Sequence, residues 1–361
     1  YADYVEMEDT SFDLYEKFKP LDNEKQNEIL IQIDGNKFSQ QDWNYIQQIS
    51  EIIQDSGEKA FHGEIGNLII DIIEMNTYEK ELIIVTGGAG FVGTNLVKRL
   101  MVEGHEVTSL DNYSTGKKEN EQQGCKYITG DITDKTLMFE QYDVIFHIAA
   151  LARIQPSLTN PNACIEANVN GTLNILNIAR KYNTPVIYAG SSSMHHGLYK
   201  SPYAWSKYAG EQLCELFSTT FGLNTTICRF YNVYGPHQLE EGDYSTVLGI
   251  FERQYRNNEP STITADGEQR RDFTHVNDIV DGLYKCIGRE SNADIFELGS
   301  GRNYSINEVA DLFNTETKYI PARKGEYPYT LCDYSYAQDE LGWKPKEDLQ
   351  VYINNFLENN L

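Results

Sequence analysis

The sequence predicts an α/β protein: a doubly wound parallel sheet, a smaller C-terminal lobe, and an acidic, helical N-terminal appendage. Three observations carry this expectation. The stretch Leu82 to Gly93, LIIVTGGAGFVG, passes from β-branched apolar residues through a turn of small residues into an amphipathic pattern at Val92, Leu96, Val97 and Leu100. That order reads as strand, tight turn, helix. Beyond it, short apolar runs alternate with helical patterns, as in a parallel sheet covered on both faces. Before it, charge is concentrated: residues 1–80 hold 18 acids against 6 lysines, half of a net charge of −24 in under a quarter of the 361 residues.

The acidic segment reads as an appendage ending near Tyr78 to Glu81. Ser39 and Asp42 make a box-like helix start, Trp43, Ile46, Ile49 and Ile53 line one face, and Gly57 ends the helix. A second helix is expected over Ile65 to Met75. The lone His62 reads as a surface side chain, and no ligand constellation predicts a metal. The remainder, 81–361, divides into a nucleotide-binding core at about 81–230 and a lobe built mainly from about 231–361.

The strands expected after Leu82 are Glu106 to Leu110, Lys126 to Thr129, Val144 to Ile148, Val186 to Ala189 and Thr225 to Tyr231, with long helices over Pro161 to Tyr182 and Pro202 to Phe221. Gly87, Gly90 and Gly93 are spaced for a sharp turn, close backbone approach to a pyrophosphate, and tight helix–strand packing. The phosphates would meet free N–H groups at the positive end of the helix. Asp111 follows the second strand, 24 residues after Gly87, where a carboxylate reaches the adenosine ribose. An acid there favours NAD, since it would repel the extra phosphate of NADP. Gly130, Asp131 and Ile132, then Ala149, Ala150 and Leu151, form turns at the ligand-binding ends of the next strands.

Bulk composition narrows the function. Net charge of −24 opposes a nucleic-acid partner, because that affinity comes from Lys and Arg releasing counterions. No apolar run reaches the roughly 20 residues that span a bilayer. Six cysteines are scattered without a CxxC pair, which suits free thiols and a cytoplasmic setting.

The chemistry is expected in SPYAWSK, Ser201 to Lys207. Ser201 suits the N-cap and Pro202 the first helical position, which puts Tyr203 in the first turn and Lys207 one turn on, on the same face. An unperturbed tyrosine, with a pKa near 10, is a poor base at neutral pH. Lowering it by roughly 3 units takes about 4 kcal/mol, to be supplied by the Lys207 ammonium, the helix N-terminus and an oxidised nicotinamide. Ser191, Ser192 and Ser193 end the fifth strand opposite this helix, where a hydroxyl would bond the substrate oxygen and pass a proton toward Tyr203.

Taken with TGGAGFVG, LDNYSTG, GDITD, VIFHIAALA, NVNGTLNIL, RFYNVYGP and GEQRRDFTHVNDI, these motifs make the chain from Leu82 onward resemble the extended short-chain dehydrogenase/reductases. Within them it resembles the NAD-dependent nucleotide-sugar epimerases of the UDP-glucose 4-epimerase kind. The resemblance implies a Rossmann core, NAD, a nucleotide-sugar substrate and a homodimer formed through the helices containing Asn168 and Tyr203. It implies Ser192, Tyr203 and Lys207 as the catalytic set. It implies NAD contacts from Gly87, Gly90, Phe91, Val92, Gly93, Asp111, Asn112, Ser114, Thr115, Gly116, Asp131, Ile132, Ala149, Ala150, Ala152, Asn168, Tyr203 and Lys207. On the substrate side it implies Ser192, Ser193, Tyr203, Asn232, Arg271, Arg323 and Thr330. For Arg270 a salt bridge with Asp272 and a substrate contact are both open.

The implied reaction is oxidation of a sugar carbon to a transient 4-keto intermediate and its reduction on the other face. Dehydratases and decarboxylases of the superfamily carry an acid just after the catalytic Ser or Thr, whereas Ser193, Met194 and His195 follow Ser192. Epimerase is therefore favoured over a dehydratase, a decarboxylase, a net oxidoreductase or a non-catalytic NAD-binding protein. His195 and His196 depart from the usual VYG and are expected to line the sugar pocket or to be exposed. Thr330, where some relatives carry a bulky tyrosine, would admit an N-acetylhexosamine as well as a hexose.

Overall fold

β-Branched runs build the centre of the molecule. Seven parallel strands, β1 (Leu82–Thr86), β2 (Glu106–Asp111), β3 (Lys126–Thr129), β4 (Val144–His147), β5 (Val186–Ser191), β6 (Thr225–Phe230) and β7 (Asn292–Leu298), pair in the order β3-β2-β1-β4-β5-β6-β7. The order reverses between β1 and β4, the switch point where such sheets open a crevice for ligands. This computed structural model describes residues 80–360. The appendage expected over 1–80, with its two helices and His62, lies outside the described residues.

Alternation along β1 shows how the sheet is covered. Ile83 and Val85 point into one core with Leu96, Val97, Leu100, Val276, Ile279 and Trp343, while Ile84 points into another with Ile145, Ile175, Leu176 and Phe217. Successive side chains on opposite faces need an apolar layer on each. All three β1 side chains are fully buried, and each contributes about 1.5–3 kcal/mol relative to exposure. The first layer includes α1 (Phe91–Val102), and the second includes the helices preceding and following β5.

Two departures matter for the site. The helix expected as continuous from Pro161 to Tyr182 has three parts: α3 (Pro161–Ile165), a π-helical turn (Glu166–Gly171) and α4 (Thr172–Tyr182). It follows a short helix, α2 (Ile154–Thr159). The wider turn carries Asn168 toward the loop after β4, as such turns often do at functional sites. By contrast α5 (Pro202–Phe221) has its expected bounds. Ser201 accepts from Ala204 N at 3.1 Å, Pro202 opens the helix, and Gly222 closes it in the left-handed region.

The second departure is in the lobes. Residues beyond 231 return to the first layer: β7 extends the sheet next to β6, and the helix Val276–Tyr284 packs in the core beside α1. The smaller lobe has its own core of Tyr234, Leu248, Phe251, Ile263, Phe313 and Ile353. No helix among the described residues is long and apolar enough to cross a membrane.

Candidate active site

The switch point opens into a cavity of about 960 Å³ that runs from the glycine turn after β1 to the smaller lobe. At its nucleotide end, Gly87 takes φ +75°, and a Cβ on Gly93 would lie 2.0 Å from the Gly87 carbonyl oxygen. Only glycine lets α1 start this close to the strand. Asp111, at the end of β2, accepts from Ala89 N through Oδ2 at 2.9 Å and from Tyr113 N through Oδ1 at 2.8 Å. It therefore braces the glycine turn while facing the cavity.

The loop after β4 is held by a directional chain of hydrogen bonds. Ala149 N–H donates to Thr86 Oγ1 at 3.3 Å, and Thr86 Oγ1 lies 2.7 Å from His147 Nδ1. His147 Nε2 lies 3.0 Å from Thr172 Oγ1, which donates to the Asn168 carbonyl at 2.7 Å. Because Thr172 spends its proton on that carbonyl, Nε2 carries the imidazole proton and Nδ1 accepts. Burial holds the His147 pKa down at about 3, so the ring is neutral across the ordinary range. The Asn168 side chain continues the bracing: Oδ1 accepts from Leu151 N at 2.8 Å, and Nδ2 donates to Leu151 O at 3.1 Å and Ser206 Oγ at 3.0 Å. Asn168, expected beside the nicotinamide, holds the loop and does not line the cavity.

Tyr203 does line it, together with Ser191, Ser192 and Ser193. Its hydroxyl donates to Ser191 Oγ at 3.3 Å, and Ser191 Oγ donates to Ser193 Oγ at 2.9 Å. The tyrosine's partner is thus Ser191, while Ser192 stands beside them in the cavity wall. The electrostatics also differ from expectation. Burial raises the Tyr203 pKa; the Ser191 hydrogen bond and the Arg153 guanidinium pull it back. Arg153 is thus a cation that acts on the phenol.

Lys207 is 3% exposed and lies 4.2 Å above the Tyr188 ring, with no hydrogen-bond acceptor among the described residues. Burial lowers its pKa to about 8, with Glu211 opposing the shift. Arg153 caps the start of α2 and is held by carbonyls: Nε donates to Tyr244 O at 3.1 Å and Ser245 O at 3.2 Å, and Nη1 to Ala152 O at 3.1 Å. On the same helix Ser157 Oγ accepts from Tyr203 N at 3.2 Å, which joins α2 to the first turn of α5.

Across the cavity, Thr330 is buried, and its hydroxyl accepts from Asn232 Nδ2 at 3.0 Å and Asp272 N at 2.9 Å. Arg271 Nη1 donates to Arg270 O at 2.9 Å and Tyr327 O at 2.8 Å, which aims the guanidinium into the cavity that Arg323 also lines. Arg270 is a correction to both expectations. It pairs with Glu308 at 2.9 Å and with Asn303, while Asp272 accepts from Ser300, Gly301 and Cys332 backbone N–H groups. His195 lies 2.7 Å from Glu297, and no metal-binding cluster occurs among the described residues. Of the expected ligand contacts, all line the cavity except Gly116, Asn168 and Lys207; Gly116 packs against the Asp111 carboxylate.

Residues 83–299 match the model of the NAD dependent epimerase/dehydratase family. The chain belongs to this family. It is 33% identical over 306 residues to a putative UDP-glucose 4-epimerase of Methanocaldococcus jannaschii, covering 77% of this chain and 99% of that protein. It is 34% identical over 311 residues to a UDP-N-acetyl-alpha-D-glucosaminuronate decarboxylase of Bacillus cytotoxicus, covering 78% and 96%. Among solved structures it resembles the Thermotoga maritima UDP-glucose 4-epimerase with UDP-glucose, at TM-score 0.72 and 30% identity, covering 76% and 97%. The protein is an enzyme of the nucleotide-sugar epimerase, dehydratase and decarboxylase family, and its cofactor is NAD.

The residues present fit that cofactor. The glycine turn has no room for side chains where a pyrophosphate would approach, Asp111 faces the cavity at the end of β2, and the Lys207 ammonium donates to nothing among the described residues. A buried ammonium without acceptors is costly, and ribose hydroxyls are the acceptors it suits. Sequence reasoning missed Arg153 as a partner of the tyrosine, and of the three serines it placed opposite Tyr203 the resemblance pointed to Ser192 where Ser191 makes the bond. For Arg153 a signal existed: it closes the small-residue turn after β4, at the ligand-binding edge of the sheet.

Proposed function

We propose that the enzyme is a 4-epimerase acting on a UDP-hexose or UDP-N-acetylhexosamine. The observation that carries this reading is the Tyr203–Ser191 hydrogen bond of 3.3 Å, set in one cavity between the glycine turn and the arginine-bearing lobe. Tyr203 takes the proton of the sugar hydroxyl and later returns it. It does so as the phenolate, its own proton having gone to solvent: Ser191 turns its O–H toward that oxygen and Arg153 favours the negative charge. The proton taken from the sugar makes it the phenol until it is given back. Lys207 holds ribose hydroxyls and so fixes the reacting faces. When bound, NAD supplies a hydride acceptor that gives the hydride back to the opposite face of the sugar carbon.

Arg271 and Arg323 anchor the diphosphate, which leaves the keto sugar free to turn. Thr330 is a small side chain in the cavity wall, consistent with room for an N-acetyl group. Epimerisation is favoured over elimination because no carboxylate follows the serine loop, and His195 beyond it is engaged by Glu297. A homodimer belongs to the same reading: Trp205 and Leu216, about three turns apart on α5, are exposed and apolar.

The test is to incubate the full chain with NAD and a panel of UDP-hexoses and follow products by NMR. We expect the 4-epimer without net accumulation of reduced nicotinamide, and a 10²–10⁴-fold loss in Tyr203→Phe. A dehydrated or decarboxylated product, or net reduction of the cofactor, would overturn the reading.

A further inference from the structure

The arginines of this molecule differ in what answers their charge. Arg229, on β6, is buried between Glu211 and Glu297, at 2.7 and 2.9 Å. Arg153 is half-buried in the cavity wall, and its acceptors are the three backbone carbonyls of Ala152, Tyr244 and Ser245. These satisfy N–H groups and leave the charge uncompensated. Nη2 has no acceptor among the described residues, and no described carboxylate pairs with the guanidinium. A guanidinium held in this way turns its remaining N–H groups and its charge toward whatever enters the cavity.

Its position decides what the missing partner is. Arg153 lines the cavity beside Tyr203, and its helix and α5 are joined by the Ser157–Tyr203 hydrogen bond. It therefore stands at the end of the cavity where the sugar is oxidised. The diphosphate has Arg271 and Arg323 on the other lobe. Neutral sugar hydroxyls accept hydrogen bonds but bring no charge. A carboxylate on the ring brings both, in the planar geometry that a guanidinium matches with two N–H groups.

We propose that Arg153 recognises a carboxylate on the sugar, so that the preferred substrate is a nucleotide-activated hexuronic acid. This rests on the function proposed above and names its substrate class. Burial lowers the Arg153 pKa without neutralising a guanidinium at working pH. The side chain stays a cation, and the carbonyls of residues 244 and 245 fix its direction before substrate arrives.

The test compares UDP-glucuronate with UDP-glucose on the NAD-loaded full chain, by calorimetric affinity and by kcat/KM, in the wild type and in Arg153→Gln and Arg153→Lys. We expect the wild type to favour UDP-glucuronate at least 10-fold in both measurements. Arg153→Gln should reduce that ratio at least 10-fold, mainly through KM, and Arg153→Lys should restore part of it. A wild type that favours UDP-glucose, or an Arg153→Gln variant that melts like the wild type and weakens both substrates equally, would overturn the proposal. Preferential binding of UDP-glucuronate without formation of an epimer would sink the epimerase reading and leave this assignment standing.

Discussion

Arg229 and Lys207 are both buried cations near the same carboxylate, Glu211, and they have opposite fates. Arg229 donates to Glu211 Oε2 from Nε at 3.1 Å and from Nη2 at 2.7 Å, and to Glu297 Oε1 at 2.9 Å. Burial alone would lower its pKa, but the two carboxylates hold it above the ordinary value. Lys207 has no acceptor among the described residues, and burial pulls it down to about 8. A charge closed within the protein holds the fold together. A charge left open holds a ligand. The two classes should therefore respond in opposite directions when broken.

The closed network gives the largest expected effect. Glu211 also accepts from Ser191 N at 3.3 Å, so Glu211→Ala strips Arg229 of one carboxylate and unlatches the serine loop. Removing one partner of a buried pair leaves an uncompensated charge and costs about 3–5 kcal/mol. Denaturant unfolding measures it, and a loss below about 1 kcal/mol would mean that the pair is not closed in the sense argued here.

His147 tests a closed network that depends on neutrality. Its pKa is about 3 in the folded protein against an ordinary 6.5. Between those values the unfolded chain binds a proton that the native protein refuses, so stability falls as pH drops from 6.5 toward 3. The expected loss is a few kcal/mol. In His147→Leu, less stable at pH 7, this part of the acid slope should vanish. Equal slopes in the two proteins would show that the imidazole is not held neutral.

Lys207→Met should do the reverse of Glu211→Ala. Below pH 8 the wild type carries the full penalty of a buried ammonium; from about 8 up to the ordinary 10.5 the native lysine is deprotonated while the unfolded one is charged, so wild-type stability rises with pH there. The variant should gain roughly 1–3 kcal/mol at pH 7 and lose that rise. Its NAD affinity and turnover should fall. A variant less stable than the wild type at pH 7, in the absence of NAD, would place Lys207 among the closed charges.

This contrast also explains what was legible beforehand. The strands stood out because runs such as LIIV and VIF must be buried on both faces, and β3 and α5 have the expected bounds. Ser201 and Pro202 announced the start of α5 by local chemistry alone. The π turn did not announce itself, because one extra residue leaves the apolar pattern at Leu173, Leu176 and Ile178 nearly unchanged. Closed pairs such as Glu211–Arg229 and Arg270–Glu308 form across 18 and 38 residues, and no spacing rule links them. That is why the salt bridge weighed for Arg270, alongside a substrate contact, was with its near neighbour Asp272. Open charges are legible only by position: Lys207 through its place one turn after Tyr203, Arg153 through its place after β4.

The smallest effect separates two adjacent serines. Ser191, not Ser192, accepts the Tyr203 hydroxyl and passes the bond to Ser193, so Ser191 belongs to the open site although its backbone N–H belongs to the closed one. In Ser191→Ala the backbone bond to Glu211 survives and the hydroxyl is lost. The expected cost is about 10-fold in kcat, the worth of one hydrogen bond of roughly 1–2 kcal/mol to a phenolate, with little change in unfolding. The acid limb of the pH–kcat profile should move up, because the phenolate loses a donor that favoured it. Ser192→Ala should leave that limb in place and affect KM alone. If Ser192→Ala moves the limb and Ser191→Ala does not, the serine loop turns over by one residue when substrate binds, and the hydroxyl that serves the tyrosine is Ser192.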